Sequence, residues 1–303
     1  MTDGADSEST SRPPLEVAAR TDFQTATDLT WLGDGRYGAV LDPRFSFGDK
    51  INGGYLLAVV ACAASREVAP SSGPADPHVV ASAMVQYLRP PHPGPAELVV
   101  TVLRRGRTSS QVRVQATQAS QTILEALITL RASGTQEAGN GTATAIATAP
   151  SGTGEGAPRL PPEGECFLMP VRPPGAPVEV PLMGMVQQRL DPECLGFAFG
   201  APTRTGHLRG WVRIPGHDHV DIPGLLLVAD ALPPAVFDLG YVGWVPTLSL
   251  TAHVLGPPAP GPLRVRQQVR SLRDGLVTQT CDIWDTNDNH VVHASQLAVV
   301  PDR

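Results

Sequence analysis

Asp230 stands three residues ahead of a proline pair, Pro233-Pro234. Proline is tolerated in the first turn of a helix and disruptive further in, so a regular helix here must begin close to Asp230. That would put the carboxylate near a helix N-terminus, where it fits two roles: an N-cap, or a group that orients and deprotonates a water. Asn52-Gly53-Gly54 opens another stretch of helical length. Glycines there allow close approach to the backbone, and free N–H groups at a helix start polarise a carbonyl oxygen; a tight strand-to-helix turn would use the same residues. Other candidates fail on context. Gly33-Asp34-Gly35-Arg36-Tyr37-Gly38 fits GxGxxG, but a strand follows it and no helix opens on it, so it reads as a hairpin turn. His217-Asp218-His219 sits among turn residues with no third ligand evident. Cys62, Cys166, Cys194 and Cys281 are far apart, without CxxC spacing, and read as buried thiols in a reducing cytoplasm. No metal or cofactor is called for. Arg104, Arg105 and Arg107 could meet phosphates but suit a solvated turn better. There is no GxSxG elbow and no P-loop, which disfavours an α/β serine hydrolase and an NTPase.

The elements that must position these residues occur twice. Pro90-Pro91-His92-Pro93-Gly94-Pro95 returns 167 residues later as Pro257-Pro258-Ala259-Pro260-Gly261-Pro262. Leu103-Arg104-Arg105-Gly106 returns 169 residues later as Leu272-Arg273-Asp274-Gly275. Two turns in nearly constant register mark a duplicated unit. Residues 1–20 are rich in Ser, Thr, Asp and Glu and read as a disordered tail. Residues 133–165, dominated by Gly, Ala, Thr, Ser and Pro, read as a flexible linker. The halves are then 21–132 and 166–303. In the first, a strand over Tyr37 to Leu41 precedes an apolar helical stretch from Gly53 to Val68, followed by four strand-like runs. In the second, a strand over Leu208 to Ile214 precedes a helical stretch from Gly224 to Leu239 and four more strands. Leu263 to Arg270 shows the clearest alternation, with Leu263, Val265 and Val269 on one side and Arg264, Arg266, Gln268 and Arg270 on the other. One helix followed by a meander means α+β with an antiparallel sheet, and one helix covers a sheet face only if the sheet curls around it. The chain of 303 residues has a net charge of −6, which argues against nucleic acid, and no apolar run long enough to span a membrane.

GGYLLAVVACAA after a short strand, SAMVQYLRP and the LRRG turn resemble the first half of acyl-CoA thioesterase II and the wider thioesterase-like group of tandem hot-dog proteins. VADALPPAVFDLG, PTLSLTAHV and HASQLAVV resemble the second half, so the likeness covers most of the chain outside tail and linker. It implies a double hot-dog, two curled antiparallel sheets each wrapped on a central helix, that hydrolyses an acyl-CoA or related thioester without a cofactor. In that family an Asp at the second helix, a Thr on the following strand and a Gln on the last strand hold the attacking water. They fall on Asp230, Thr247 and Gln296. Against the family pattern Gln296 lies one residue early; a one-residue slip turns a strand side chain to the opposite face, so a bulge or a different register is required. Asn52, Gly53 and Gly54 are the substrate-binding candidates. In the duplicated half Thr247 meets Val80 and Gln296 meets Ile128, as expected if one side kept the chemistry.

Two other readings stay open. A hot-dog dehydratase or hydratase would want an Asp/His pair, and no histidine stands beside Asp230. A non-catalytic binder or scaffold of acyl thioesters would need no convergent trio. In every case the partner is an acyl thioester and, at most, further copies of the chain.

Overall fold

The computed structural model describes residues 21–69, 78–132 and 156–300; the tail over 1–20 and the linker over 133–155 lie outside the described residues. Residues 156–165, the remainder of that linker, hold a 3₁₀ turn at Glu163–Glu165 and are bonded to a strand through Trp211 and Arg213.

After a short helix α1 (Asp22–Ala26) come β1 (Leu29–Gly33) and β2 (Arg36–Leu41), joined by the Gly33–Gly35 hairpin, where Gly33, Asp34 and Gly35 all take positive φ. A small ribbon, β3 (Ser46–Phe47) and β4 (Lys50–Ile51), leads into helix α2 (Gly53–Val68). Strands β5 (His78–Tyr87), β6 (Gly94–Arg105), β7 (Ser109–Gln118) and β8 (Gln121–Ala132) complete the first half. The second half runs β9 (Phe167–Leu168), α3 (Leu182–Met185), β10 (Gln187–Leu190), β11 (His207–Arg213) and α4 (Ile222–Val228). It ends with β12 (Thr247–Val254), β13 (Leu263–Arg273), β14 (Leu276–Trp284) and β15 (His290–Val299).

Thirteen strands form one antiparallel sheet, ordered β1-β2-β6-β7-β8-β5-β12-β15-β14-β13-β11-β10-β9. The order reads the same from either side of the β5–β12 seam, with β2, β6, β7, β8 and β5 answered by β11, β13, β14, β15 and β12. That mirrored order is the duplication written into topology. Ladder irregularities repeat too. β5 steps from the Ser82–Thr129 pair to Val80–Leu130, and β12 from Ser249–Leu297 to Thr247–Ala298, so Ala81 and Leu248 are equivalent bulged residues. No helix among the described residues is long and apolar enough to cross a membrane.

Helix α2 follows the sequence closely. Asn52 caps it, its Oδ1 accepting the Tyr55 N–H at 2.9 Å, and nearly every face is buried. The second helix departs from expectation. It does not run from Gly224 to Leu239: α4 starts with Asp221 as N-cap and Pro223 in its first turn, and stops at Val228. The proline that marks the helix start is Pro223. Pro233 and Pro234 instead precede a separate 3₁₀ turn, Ala235–Leu239. Asp230 is therefore just past the C-terminal end of α4, and it is not the N-cap.

Candidate active site

A helix leaves its last carbonyls unpaired, and the chain after α4 folds back to meet them with its own N–H groups, its own carbonyls being taken by side chains from elsewhere. Asp230 and Ala231 N–H groups tighten onto Leu227 and Val228 at 3.3 and 3.2 Å. Asn52 Nδ2 then donates to the Asp230 carbonyl at 2.8 Å, and buried Gln188 donates to the Ala231 carbonyl at 2.7 Å. The carboxylate itself is turned to the first half: its Oδ2 accepts the Gly54 N–H at 3.2 Å. Asp230 thus does lie at a helix N-terminus, but that of α2, whose dipole favours an anion, while its own helix presents the opposite end.

The two glycines make this approach feasible. A Cβ on Gly54 would stand 2.5 Å from the Leu227 carbonyl oxygen, and one on Gly53 would stand 2.7 Å from Asp230 Oδ2 and 2.9 Å from Tyr87 Oη. Tyr87, unremarked in the sequence, donates its hydroxyl to the Gly53 carbonyl at 2.7 Å and flanks the carboxylate. Burial pushes the Asp230 carboxyl up to about 7, against a smaller downward pull from the Gly54 N–H. Burial, then the nearby Asp230 charge, raises the Tyr87 phenol. The Gly53 N–H, by contrast, has no acceptor among the described residues.

Asp230 borders a cavity of about 450 Å³ where α2 meets the second half, and Thr247 and Gln296 line the same cavity. The bulge at Leu248 explains how. Without it Thr247 would alternate onto the outer face; with it Thr247 pairs with Ala298 and shares the face of Leu250 and Ala252. Gln296 is on that face already, between Ala294 and Ala298, and Thr247 Oγ1 donates to its Oε1 at 3.1 Å. β15 pairs without a shift through Gln296, and the bulge in this part of the sheet lies in β12, at Leu248. The cavity takes only Asn52, Gly53 and Leu56 from α2, so it opens on the first turn of that helix and does not follow its length.

The substrate candidates divide. Both polar atoms of the Asn52 side chain are engaged, one capping α2 and one holding Asp230. The Gly54 N–H is taken by the carboxylate, which leaves Gly53 as the free donor. Arg105 is bonded to the carbonyls of Val68 and Glu67 at the far end of α2, about 24 Å from its start at 1.5 Å per residue. Among the described residues that line the cavity the cation is Arg89, exposed at its edge, and Lys50 stands over the ring of Trp244 beside it.

His217 packs edge-on against Phe23 and bonds Thr21, in no arrangement with His219. One group with metal-ligand chemistry does occur among the described residues: Asp282, His290 and His293. Asp282 Oδ1 already accepts both imidazoles, at 3.0 and 2.8 Å, and Arg266 stands 3.8 Å from Oδ2. Burial works to raise this carboxyl, but the histidine bonds and charges outweigh it and hold the group below its usual value. It is an ion-paired network on the sheet face opposite the cavity. The described cysteines are all free thiols.

Two further glutamines went unnoticed in the sequence. Gln267 and Gln279 are buried in the cavity wall, where their repeat counterparts are Val100 and Val112. The signal was present, since Gln267 falls on the apolar side of the Leu263–Arg270 alternation.

Comparison with known proteins agrees with this architecture. Residues 41–131 match the acyl-CoA thioesterase N-terminal domain, and residues 162–300 match the acyl-CoA thioesterase C-terminal domain. An uncharacterized protein of Mycobacterium tuberculosis (strain H37Rv) is 27% identical over 270 residues, covering 86% of this chain and 89% of its own. The crystal structure of a candidate thioesterase II from Thermobifida fusca superposes with a TM-score of 0.76 at 28% identity, over 93% of this chain and 98% of that one. A hot-dog-fold protein of unknown function from Alicyclobacillus acidocaldarius superposes equally well, TM-score 0.76 at 16% identity, over 94% and 100% of the two chains. With both of its halves matched in order, the chain belongs to the acyl-CoA thioesterase family.

Proposed function

We propose that this protein hydrolyses an acyl-CoA or closely related acyl thioester, using a water held by Asp230, Thr247 and Gln296, in a tandem of two hot-dog units covering about 21–132 and 166–303. The observation that carries the reading is the convergence of those three side chains on one cavity, with the carboxyl of Asp230 raised to about 7. A general base works best when its pKa is near the working pH, and burial brings an ordinary aspartate there.

Asp230 takes a proton from the water as its oxygen attacks the thioester carbonyl carbon. The Gly53 N–H, at the positive end of α2, faces the developing oxyanion. When the C–S bond breaks, the sulfur leaves as a thiol carrying the proton that Asp230 received, and the carboxylic acid remains. Thr247 and Gln296 fix the water's position, and Asn52 positions Asp230 through its main-chain carbonyl. Arg89 supplies positive charge for the phosphates of the thiol carrier.

The dehydratase reading is less well supported, because no described residue lining the cavity is a histidine. Thiol release across a series of acyl-CoA chain lengths, with Asp230→Asn alongside, tests the proposal. Turnover with a chain-length optimum, lost in the variant, is expected. Unchanged turnover in the variant removes Asp230 from the chemistry, and no release with any acyl-CoA leaves a binding protein without turnover.

A further inference from the structure

The inner face of the second half carries a row of four polar side chains, one from each of four adjacent strands. Thr247 is on β12, Gln296 on β15, Gln279 on β14 and Gln267 on β13, and all four line the cavity. Gln279 and Gln296 are direct cross-strand partners. At about 4.8 Å between strands the row spans roughly 14 Å across the sheet, and it runs obliquely, since Thr247 is level with Ala298 and Gln267 with Ala294 on the strand of Gln296. In the first half the same positions hold Val80, Ile128, Val112 and Val100, all well buried. The fold therefore accepts an apolar row here, and amides in this place are not required by the sheet.

Two members of the row have no part in holding the water. Gln279 and Gln267 are 1% and 3% exposed, so leaving their amides unpaired is unfavourable. Chemistry fixes which way Gln279 points. One end of its amide receives the Ala235 N–H at 2.8 Å, and only the oxygen can accept that bond. Gln267 Nε2 approaches the same oxygen at 3.5 Å. The NH₂ of Gln279 is consequently turned the other way, and it has no acceptor among the described residues. It is a pair of buried donors in the wall of a cavity whose second-half lining, outside this row, Asp230 and Tyr241, is largely apolar, as at Met169, Met183, Phe197 and Phe237.

We propose that Gln279, with its amide orientation held by Ala235 and Gln267, is a polar subsite for an acceptor oxygen on the acyl group, a hydroxyl or keto oxygen a few bonds from the thioester carbon. One strand spacing separates it from Gln296, which holds the attacking water, so an oxygen a few bonds from the attacked carbon comes within its reach. The inference rests on the hydrolytic reading above and deepens it to a substrate class. A site that hydrogen-bonds a substrate oxygen discriminates strongly against the analogue lacking it, because the buried donors are then left unpaired.

The test compares 3-oxoacyl-CoA and 3-hydroxyacyl-CoA with unsubstituted acyl-CoA of equal chain length, in wild type, Gln279→Met and Gln279→Glu. The readout is the ratio of kcat/KM for oxygenated over unsubstituted substrate. Wild type should favour the oxygenated substrates, and both variants should lower the ratio by about ten- to a hundredfold. Gln279→Glu retains an acceptor for the Ala235 N–H, so it separates loss of the donor from loss of folding. An equal fall for both substrates, which a purely structural glutamine would give, overturns the proposal, as does a wild-type preference for the unsubstituted chain. Fluorescence of Trp244, which lines the cavity, reads binding of the same compounds without turnover. Tighter binding of the oxygenated compounds, lost in the variants, would uphold the subsite even if no thiol were released, whereas absent release alone counts against hydrolysis.

Discussion

Replacing Asp230 by asparagine should make the protein more stable and less active, with both effects growing as the pH rises. The carboxyl is raised from 3.8 to about 7, chiefly by burial. At about 1.4 kcal/mol per unit, keeping it ionised in the folded protein costs about 4 kcal/mol, an upper bound because the side chain retains some surface toward the cavity. The sign follows from proton uptake. Between pH 4 and pH 7 the folded state holds a proton that the unfolded chain releases, so wild-type stability from this group is complete at the acid end and lost as the pH rises through 7. Asparagine does not ionise, and its Oδ1 still accepts the Gly54 N–H. Urea unfolding at pH 4 and pH 8 should therefore show nearly equal stabilities at the lower pH and a gap of a few kcal/mol favouring Asp230→Asn at the higher. Thiol release at pH 8 should fall by about 10²- to 10⁴-fold in the same variant. A stability difference that is the same at both pH values would refute the idea that a buried, ionisation-resistant carboxyl sits at this site.

In wild type, kcat/KM should rise about tenfold per pH unit from pH 5 and level off near 7, as expected for a base with the raised carboxyl of Asp230; a profile flat down to pH 5 would count against it. Thr247→Val installs the first-half residue, preserves shape and removes the bond to Gln296, and should lower kcat by about tenfold with little change in melting temperature. Gly53→Ala puts a methyl 2.7 Å from Asp230 Oδ2 and 2.9 Å from Tyr87 Oη, and should destabilise by about 1–3 kcal/mol in urea titration while lowering turnover. Alanine tolerated there at full activity would mean that α2 and the Asp230 turn are less tightly apposed than described.

The sequence was informative wherever a signal was local or repeated. The Asn52 cap and the apolar run after it delimit α2, and the two turn motifs recurring about 167 residues apart anticipate the mirrored strand order. It misled where two local rules competed. Pro223 and Pro233-Pro234 are equally good helix-start signals, and only the cap made by Asp221 decides between them. Which partner a side chain meets across the molecule was not legible. Nothing near Asp230 in the chain foretells that its carboxylate rests on the Gly54 N–H, because that contact depends on how closely two helices pack. Nor does a strand pattern reveal a bulge, so the face of Thr247 emerges only from the ladder that skips Leu248. Gln267 and Gln279 were legible in principle, since each replaces a valine of the other copy at the 167-residue offset of the proline turns, but the 169-residue offset of the second turn obscures the match for Gln279.

The hydrogen bond from Gly54 to Asp230 makes the two copies of the unit dependent on each other. In effect the chain is a covalent heterodimer: one copy presents the positive end of a helix, the other the acid and its polar neighbours. Once duplication had joined them, selection no longer had to preserve both sets of side chains. One copy can then carry an apolar row at these positions, and the other can vary its polar row while borrowing an unchanged helix end. Shuffling halves between distant relatives should therefore fail more often where the start of α2 meets the Asp230 turn than along the β5–β12 seam, where strand pairing makes fewer demands on side-chain identity.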